Sequence, residues 1–347
     1  MPLREKPLLQ RIRRAAVRRE REIGLGIGDD CAVLRLPRGH EALLTTDFSL
    51  EGVHFRRDWH PANSVGHRCL TRGLSDIAAM GGISQAAFLS LALPAALPQR
   101  WVDHFIAGLL KLADRYSIVL AGGDTAQSPG GIMADIVVFG SVPAGQAILR
   151  SGAKPGDHIY VTGTLGLPYE ALTRMRNGEK LRPNFHLKTF YPEPRIAIGQ
   201  FLREKKLVSA MIDISDGLST DLAHICEESK VGAKLYAEAL STVVAVSPKQ
   251  RLGSGHDPSA SSGRAFSRAE NCPGKGWALA PAALESVLNG GDEYELLFTA
   301  KPDRRIPADI AGIPVTRIGE IVRGKNMKLV TNGKSKLLKP AGWEHFR

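Results

Sequence analysis

Cysteine is scarce. The 347 residues hold four, Cys31, Cys69, Cys226 and Cys272, and none forms a C-x-x-C pair. That excludes a disulfide framework and a zinc site of ordinary ligand spacing, and a reducing compartment such as the cytoplasm is expected. Long apolar runs are also missing. The most apolar stretch, residues 86–97, is interrupted by Ser90 and Pro94, whereas a spanning helix needs ~20 apolar residues. The first residues carry Arg and Lys without the apolar core of a signal peptide. Several nucleotide and hydrolase signatures are absent too. No G-x-x-x-x-G-K-[ST] occurs: the nearest match, Gly333-Lys334-Ser335, has Lys328 where the first Gly belongs. Neither H-R-D, D-F-G nor G-x-S-x-G appears, and His54, His60 and His67 fit no zinc spacing.

The composition is that of a soluble globular chain, with 43% hydrophobic and 23% charged residues, and the length suggests two domains. The net charge of +11 is unevenly placed. Residues 1–22 carry +5 and residues 301–347 carry +7, while the middle is close to neutral. Such ends attract polyanions without recognising them, and no zinc finger, RNP motif or GXXG clamp accompanies them. Specific nucleic-acid binding is therefore not expected, nor is membrane insertion.

The first half alternates between strand and helix patterns. Residues 42–47, 87–93, 118–121 and 136–139 read as strands. Leu70, Leu74, Ile77 and Ala78 mark a helix over 65–80, and Trp101, Phe105, Leu109 and Leu112 mark another. Leu8, Leu9, Ile12, Ala15 and Ala16 suggest a short amphipathic helix. The charged turn at 150–157, with Pro155-Gly156, places a domain boundary there, giving 1–149 and 150–347. Beyond it, 158–162, 210–214 and 294–299 read as strands and 218–227 as a helix. Asn332-Gly333 predicts a hairpin over 328–338. Residues 247–276 are rich in Ser, Gly, Pro, Arg and Lys, the pattern of a flexible surface loop.

Chemistry is suggested by Asp recurring beside Gly, Ser or Thr, expected at strand–turn junctions. The segments are GLGIGDD (24–30), TTD (45–47), SD (75–76), GGDT (122–125), DISDG (213–217) and GGDE (290–293). Each alone has a structural reading: Asp216 as a helix N-cap, Asp76 paired with Arg72, Asp124 in an Asx-turn. Six together favour hard oxygen ligands suited to Mg²⁺.

The order of these motifs is recognisable. GIGDDCAVL (26–34), TTDFSLEGVHF (45–55), LSDIAAMGG (74–82), GGDT (122–125), RSGAKPGDHIYVTGTLG (150–166), IDISDGLSTDL (212–222), GGDEYELLF (290–298) and GWEHF (342–346) resemble the thiamine-monophosphate kinases. That family sits within the aminoimidazole-ribonucleotide-synthetase-like ATP-dependent superfamily. The resemblance spans nearly the whole chain except 247–276. It implies an α/β (α+β) two-domain fold, with the N-terminal domain contributing to a dimeric β-barrel, a C-terminal α/β domain, and a cleft between them. By resemblance Asp30, Thr45, Thr46, Asp47, Asp76, Asp124, Asp213 and Asp216 hold metal. Gly123, Asp124, Arg150 and Ser215 contact nucleotide. His54, Asp292 and Trp343 hold thiamine phosphate. The family pattern reads Gly-Gly-Glu-Asp where this chain reads Gly290-Gly291-Asp292-Glu293, so either Asp292 or Glu293 can face the substrate.

The implied reaction is ATP plus thiamine phosphate to ADP plus thiamine diphosphate. Two anions must then meet, and a phosphate monoester is largely ionised at neutral pH, its second pKa being ~6. No general base is required; neutralisation by several Mg²⁺ ions and by Arg150 is. Other superfamily activities, of the selenophosphate-synthetase or aminoimidazole-ribonucleotide-synthetase type, are alternatives, as is a non-catalytic nucleotide-binding protein. Selenophosphate synthetases usually add a reactive Cys or selenocysteine in a Gly-rich N-terminal segment, which is not found before Gly24.

Overall fold

A computed structural model describes residues 5–16, 23–27, 31–244 and 280–346. Asp30 and the 247–276 segment lie outside the described residues. The chain runs α1 (Glu5–Ala15), β1 (Ile23–Leu25), β2 (Val33–Leu34), β3 (His40–Leu50), α2 (Ala62–Ala79), β4 (Ile83–Pro94), α3 (Gln99–Arg115), β5 (Val119–Ser128) and β6 (Met133–Pro143). It continues with β7 (His158–Thr162), α4 (Leu167–Arg176), α5 (Leu187–Phe190), α6 (Ile196–Glu204), β8 (Ala210–Asp213), α7 (Leu218–Ser229), β9 (Gly232–Tyr236) and α8 (Ala237–Val243). After the undescribed stretch come α9 (Pro281–Asn289), β10 (Leu296–Ala300), β11 (Asp309–Ile310), β12 (Ile313–Val322), β13 (Met327–Thr331) and β14 (Lys334–Leu338).

Two sheets organise the molecule. The first has the order β3-β6-β4-β5, antiparallel except for the β4–β5 pair. The second has the order β14-β13-β9-β12-β7-β10-β8, with β11 attached to β12. The hairpin expected at Asn332-Gly333 is present: Thr331 pairs with Lys334, and φ is 49° at Asn332 and 74° at Gly333. Both central residues have positive φ, as the tight hairpin turn that favours Asn-Gly requires.

Helix α2 joins the two sheets. It is buried on nearly every side, so it reads as a central helix rather than a surface one. Its glycine and alanine positions allow close approach. A methyl group on Gly66 would fall 1.9 Å from the Phe105 carbonyl oxygen of α3, and one on Gly199 of α6 would fall 2.0 Å from that of Ala78. One core, built on Leu70, Leu74, Phe105, Leu109, Ile136 and Val138, extends through α2 to Leu202, Leu296 and Phe298. Leu297, the alternate residue of β10, joins a second core with Ile159, Val161, Leu222 and Leu235. This alternation places β10 between two apolar layers.

One expectation is corrected. Asp213–Gly217 and Gly290–Glu293 fall at element ends, and Gly24–Asp30 leaves β1 into undescribed residues; but Thr45–Asp47 lies within β3, Ser75-Asp76 within α2, and Gly122–Thr125 within β5. Gly123 belongs there because of a close approach: a Cβ would lie 1.9 Å from the Leu89 carbonyl oxygen of β4, and φ is 147°. In β3, Leu43 and Ser49 are buried toward α2, whereas Leu44 and Phe48 are exposed on the other face.

Candidate active site

A cleft of about 1210 Å³ opens between the two sheets. Its floor is acidic and comes from four elements. Asp47 projects from β3, Asp76 from α2, Asp213 from the end of β8, and Asp216 from the turn before α7. The Thr45 hydroxyl donates to the Asp76 carboxylate. The Ser75 hydroxyl donates to Asp213 Oδ2 at 2.6 Å. Burial, and then the charge of Asp76, push the carboxyls of Asp47 and Asp213 up to about 7. Burial raises Asp76 and Asp216 as well. Carboxyls held this close without a cation resist ionisation, and the donor set is all oxygen, which fits Mg²⁺. Arg150 lines the same cleft and opposes the upward shifts of Asp76 and Asp213.

The turn that presents Asp216 is built by a residue sequence reasoning missed. Asp221, in the first turn of α7, accepts the backbone N–H groups of Ser215, Asp216 and Gly217 at 3.2, 3.2 and 3.0 Å. Asp216 does not cap α7, whose N-cap position is Gly217 with no side-chain bond; Asp221 instead holds the amides of the preceding turn, and Asp216 faces the cleft with Ser215. The spacing DGLSTD, with an acid in the first helical turn, was the available signal.

Asp292 and Glu293 separate cleanly. Asp292 lines the cleft in the left-handed region (φ 58°), its N–H donating to the Ser215 carbonyl at 2.8 Å. Arg68 Nη2 donates to its Oδ2 at 2.7 Å, Arg72 Nη2 to its Oδ1 at 3.1 Å, and the Tyr294 hydroxyl to Oδ1 at 2.6 Å. Burial pushes the Asp292 carboxyl up, but the two guanidiniums and the tyrosine outweigh it and hold it well below the usual range. Glu293 points away: it is buried, accepts the Gly166 N–H, and pairs with Lys188 at 2.8 Å. Lys188 also meets Glu295, which takes a two-pronged bond from Arg195 at 2.7 and 2.6 Å. The segment before β10, with positive φ at Asp292 (58°) and Tyr294 (52°), thus turns Asp292 and Tyr294 toward the cleft and Glu293 and Glu295 into the interior. Arg72 pairs with Asp292, not with Asp76 as the helical spacing had suggested.

Opposite Asp292 lie His54 and the C-terminal tail. Leu50 N–H donates to His54 Nδ1 at 3.0 Å, and burial followed by the charge of Arg72 pushes the imidazole down to about 4, so it is neutral. Ala341, Gly342 and Trp343 tie the tail to α7 through Ser219, Thr220 and the Asp216 carbonyl. Gly342 is fixed by crowding, since a Cβ would sit 2.2 Å from that carbonyl. The tail places Trp343 on the cleft wall and the His345 ring 5.6 Å from that of His54.

Gly123 and Asp124 do not join this floor. Asp124 pairs in register with Ser90, which pairs with Asp135, which pairs with Phe48, so the four share the outer face of the first sheet. Thr46 is on that face too, its hydroxyl donating to Asp135 at 2.7 Å. Asp135 and Arg68 were not anticipated, nor was a site role for Arg72: Asp135 follows an ordinary alanine, and the arginines look like the polar side of a helix until α2 is seen to be buried.

Comparison with known proteins follows the same outline. The family described as AIR synthase related protein matches with its N-terminal domain over residues 28–142 and its C-terminal domain over 154–332. The thiamine-monophosphate kinase of Escherichia coli (strain K12) is 34% identical, with 94% of this chain and 93% of that protein covered. The crystal structure of the thiamine-monophosphate kinase from Stenotrophomonas maltophilia K279a superposes with a TM-score of 0.76 at 33% identity, covering 97% of this chain and 99% of the other. The chain belongs to the thiamine-monophosphate kinase family. AaThiL complexed with AMPPCP and TMP shares the fold at a TM-score of 0.70 and 27% identity, covering 90% and 89%. For a thiamine-monophosphate kinase the cleft has a consistent layout, with acids at its base, arginines beside them and an aromatic wall above.

Proposed function

We propose that the cleft transfers the γ-phosphoryl group of ATP directly to thiamine phosphate, giving ADP and thiamine diphosphate. The observation that carries this reading is the convergence of Asp47, Asp76, Asp213 and Asp216, drawn from both sheets, beside Arg150 and Trp343 in one cleft. Those four carboxylates, with Thr45 supporting Asp76, would hold Mg²⁺. Bound Mg²⁺ would supply charge neutralisation and alignment of the two phosphate groups. Arg150 and Ser215 are assigned to the nucleotide. Trp343 offers an aromatic face to a cationic heteroaromatic ring, and neutral His54 offers an Nε2–H donor. No side chain is assigned as a general base, because the acceptor oxygen arrives ionised.

We take residues 1–149 and 150–347 as the two domains and a homodimer as the working assembly. In support, the outer face of the first sheet exposes Leu44, Phe48 and Met133 around Thr46, Asp124 and Asp135. A second copy closing a β-barrel over that face would bury these apolar groups. The metal role assigned to Asp124 and the nucleotide role of Gly123 depend on that covered face, while the role of Asp30 rests on the sequence resemblance. The cysteines described, Cys31, Cys69 and Cys226, are free, which supports cytoplasmic location. No described helix is long and apolar enough to cross a membrane.

The test is an endpoint assay with Mg-ATP and thiamine phosphate, thiamine diphosphate being separated by chromatography after oxidation to its thiochrome. Product with thiamine phosphate and none with thiamine is expected. Equal turnover of both would replace this reading with a less selective kinase.

A further inference from the structure

Arg68 and Arg72 have no role in the readings above, yet both lie deep in the cleft. Their side chains are 7% and 12% exposed, one helical turn apart on α2, and both reach Asp292 from opposite oxygens. Buried guanidiniums need more than one carboxylate between them. Two cations and one anion leave the cluster at +1, and Tyr294 supplies a further donor to the same carboxylate. Asp292 is thus already neutralised, so it is poorly placed to attract the positive ring of a thiamine. Its geometry suits a different task, which is to hold two planar forks steady.

The two arginines are unequal. Arg68 is spent structurally: its Nη1 donates to the Thr189 carbonyl at 2.9 Å and its Nη2 also reaches the His54 carbonyl at 3.4 Å. Arg72 makes a hydrogen bond to Asp292 through one Nη2, and a guanidinium carries five N–H donors. It lines the cleft together with Asp47, Asp76, His54 and Trp343.

We propose that Arg72, braced by Asp292 and Arg68, binds the phosphate of the acceptor and is a specificity-determining residue that favours thiamine phosphate over thiamine. This deepens the proposed function and rests on it. The organic cation is then recognised by Trp343, and its phosphate by Arg72 next to the metal-binding acids. Asp292 acts as a positioning residue: its left-handed backbone, fixed by the Ser215 carbonyl and by the Glu293–Lys188 pair behind it, sets where Arg72 points.

The experiment compares equilibrium binding of thiamine phosphate, thiamine and ATP at fixed, saturating Mg²⁺ for the full chain and for Arg72→Met. Arg72→Met leaves Asp292 paired with Arg68 and Tyr294, so no carboxylate is orphaned. The expected result is a ~10–100-fold loss for thiamine phosphate, the scale of a lost charge-assisted pair, with thiamine and ATP changed by less than about 3-fold. Arg72→Lys, which keeps the charge but not the fork, should recover part of the loss and serves if the Met variant does not fold. Equal loss for thiamine and thiamine phosphate, or no loss in either variant, overturns the assignment. The wild-type endpoint assay separates the two levels: turnover of thiamine phosphate with undiminished discrimination in Arg72→Met and Arg72→Lys refutes the Arg72 role alone. Wild type that neither binds nor converts thiamine phosphate refutes both.

Discussion

Removing the metal should make the protein less stable as pH rises, and the acidic floor sets by how much. Asp47 and Asp213 titrate near about 7 in the fold against 3.8 in the unfolded chain. A group with a raised folded pKa contributes stability that is complete below its unfolded pKa and is lost as pH climbs through its folded one. His54 and His60, both pushed down to about 4, act in the opposite sense, adding stability as pH rises toward their unfolded value of 6.5. From about pH 6.5 to about pH 8.5 these two histidines still add about 0.4 kcal/mol each, against the carboxylates. Integrating one carboxyl of pKa about 7 across this window gives a loss of about 0.8 kcal/mol, so the pair loses about 1.6 kcal/mol, and after the histidine gain the net of about 0.8 kcal/mol is a fall in Tm of ~1–3 °C. Thermal melts in chelator should show this fall, and Mg²⁺ should reverse it with a larger gain at the upper pH. Asp213→Asn keeps the acceptor for the Ser75 hydroxyl and should flatten the chelated profile. A chelated wild type whose Tm is level or rising over this window, or an unchanged slope in Asp213→Asn, would refute the reasoning.

Three further outcomes are expected. Asp47→Asn should cut transfer by at least ~100-fold while circular dichroism shows an intact fold; near-normal turnover at saturating Mg²⁺ would remove Asp47 from the metal set. Trp343→Ala should weaken thiamine phosphate by ~3–30-fold and leave ATP nearly unaffected, as measured by calorimetry, equal effects on both counting against an aromatic wall. Gly66→Ala forces α2 away from the Phe105 carbonyl and should cost about 2–3 kcal/mol or more in denaturant unfolding; a cost under about 0.5 kcal/mol would show that the helices can part easily.

The strongly periodic elements were legible. The helix expected over 65–80 is α2, the strand over 158–162 is β7, and the Asn332-Gly333 hairpin is present as written. Period and turn chemistry decide these locally. The stretch 167–204 was not anticipated, because its helices are short and settle through tertiary contacts, α5 and α6 against α2 and α4 against α5 and α9; strand β12 was not anticipated either. At the site, the acids announced themselves by their Gly and Ser neighbours. Which acids meet did not: Thr45 and Thr46 are adjacent in sequence, yet one supports Asp76 and the other bonds Asp135 on the outer face. A strand sends neighbouring side chains to opposite sides, and only the placement of α2 tells which side is the cleft. The site role of Arg68 and Arg72 was overlooked for a related reason: in sequence they read as the polar side of a helix, Arg72 as a partner for Asp76, and only the packing shows that α2 is buried.

The most direct test of the account is to follow the phosphorus. With [γ-³²P]ATP, Mg²⁺ and thiamine phosphate, the label should appear in the terminal phosphate of thiamine diphosphate, and chelation of the metal should stop it. Label released as orthophosphate, or thiamine diphosphate formed unlabelled or equally well in chelator, would contradict direct metal-dependent transfer in this cleft.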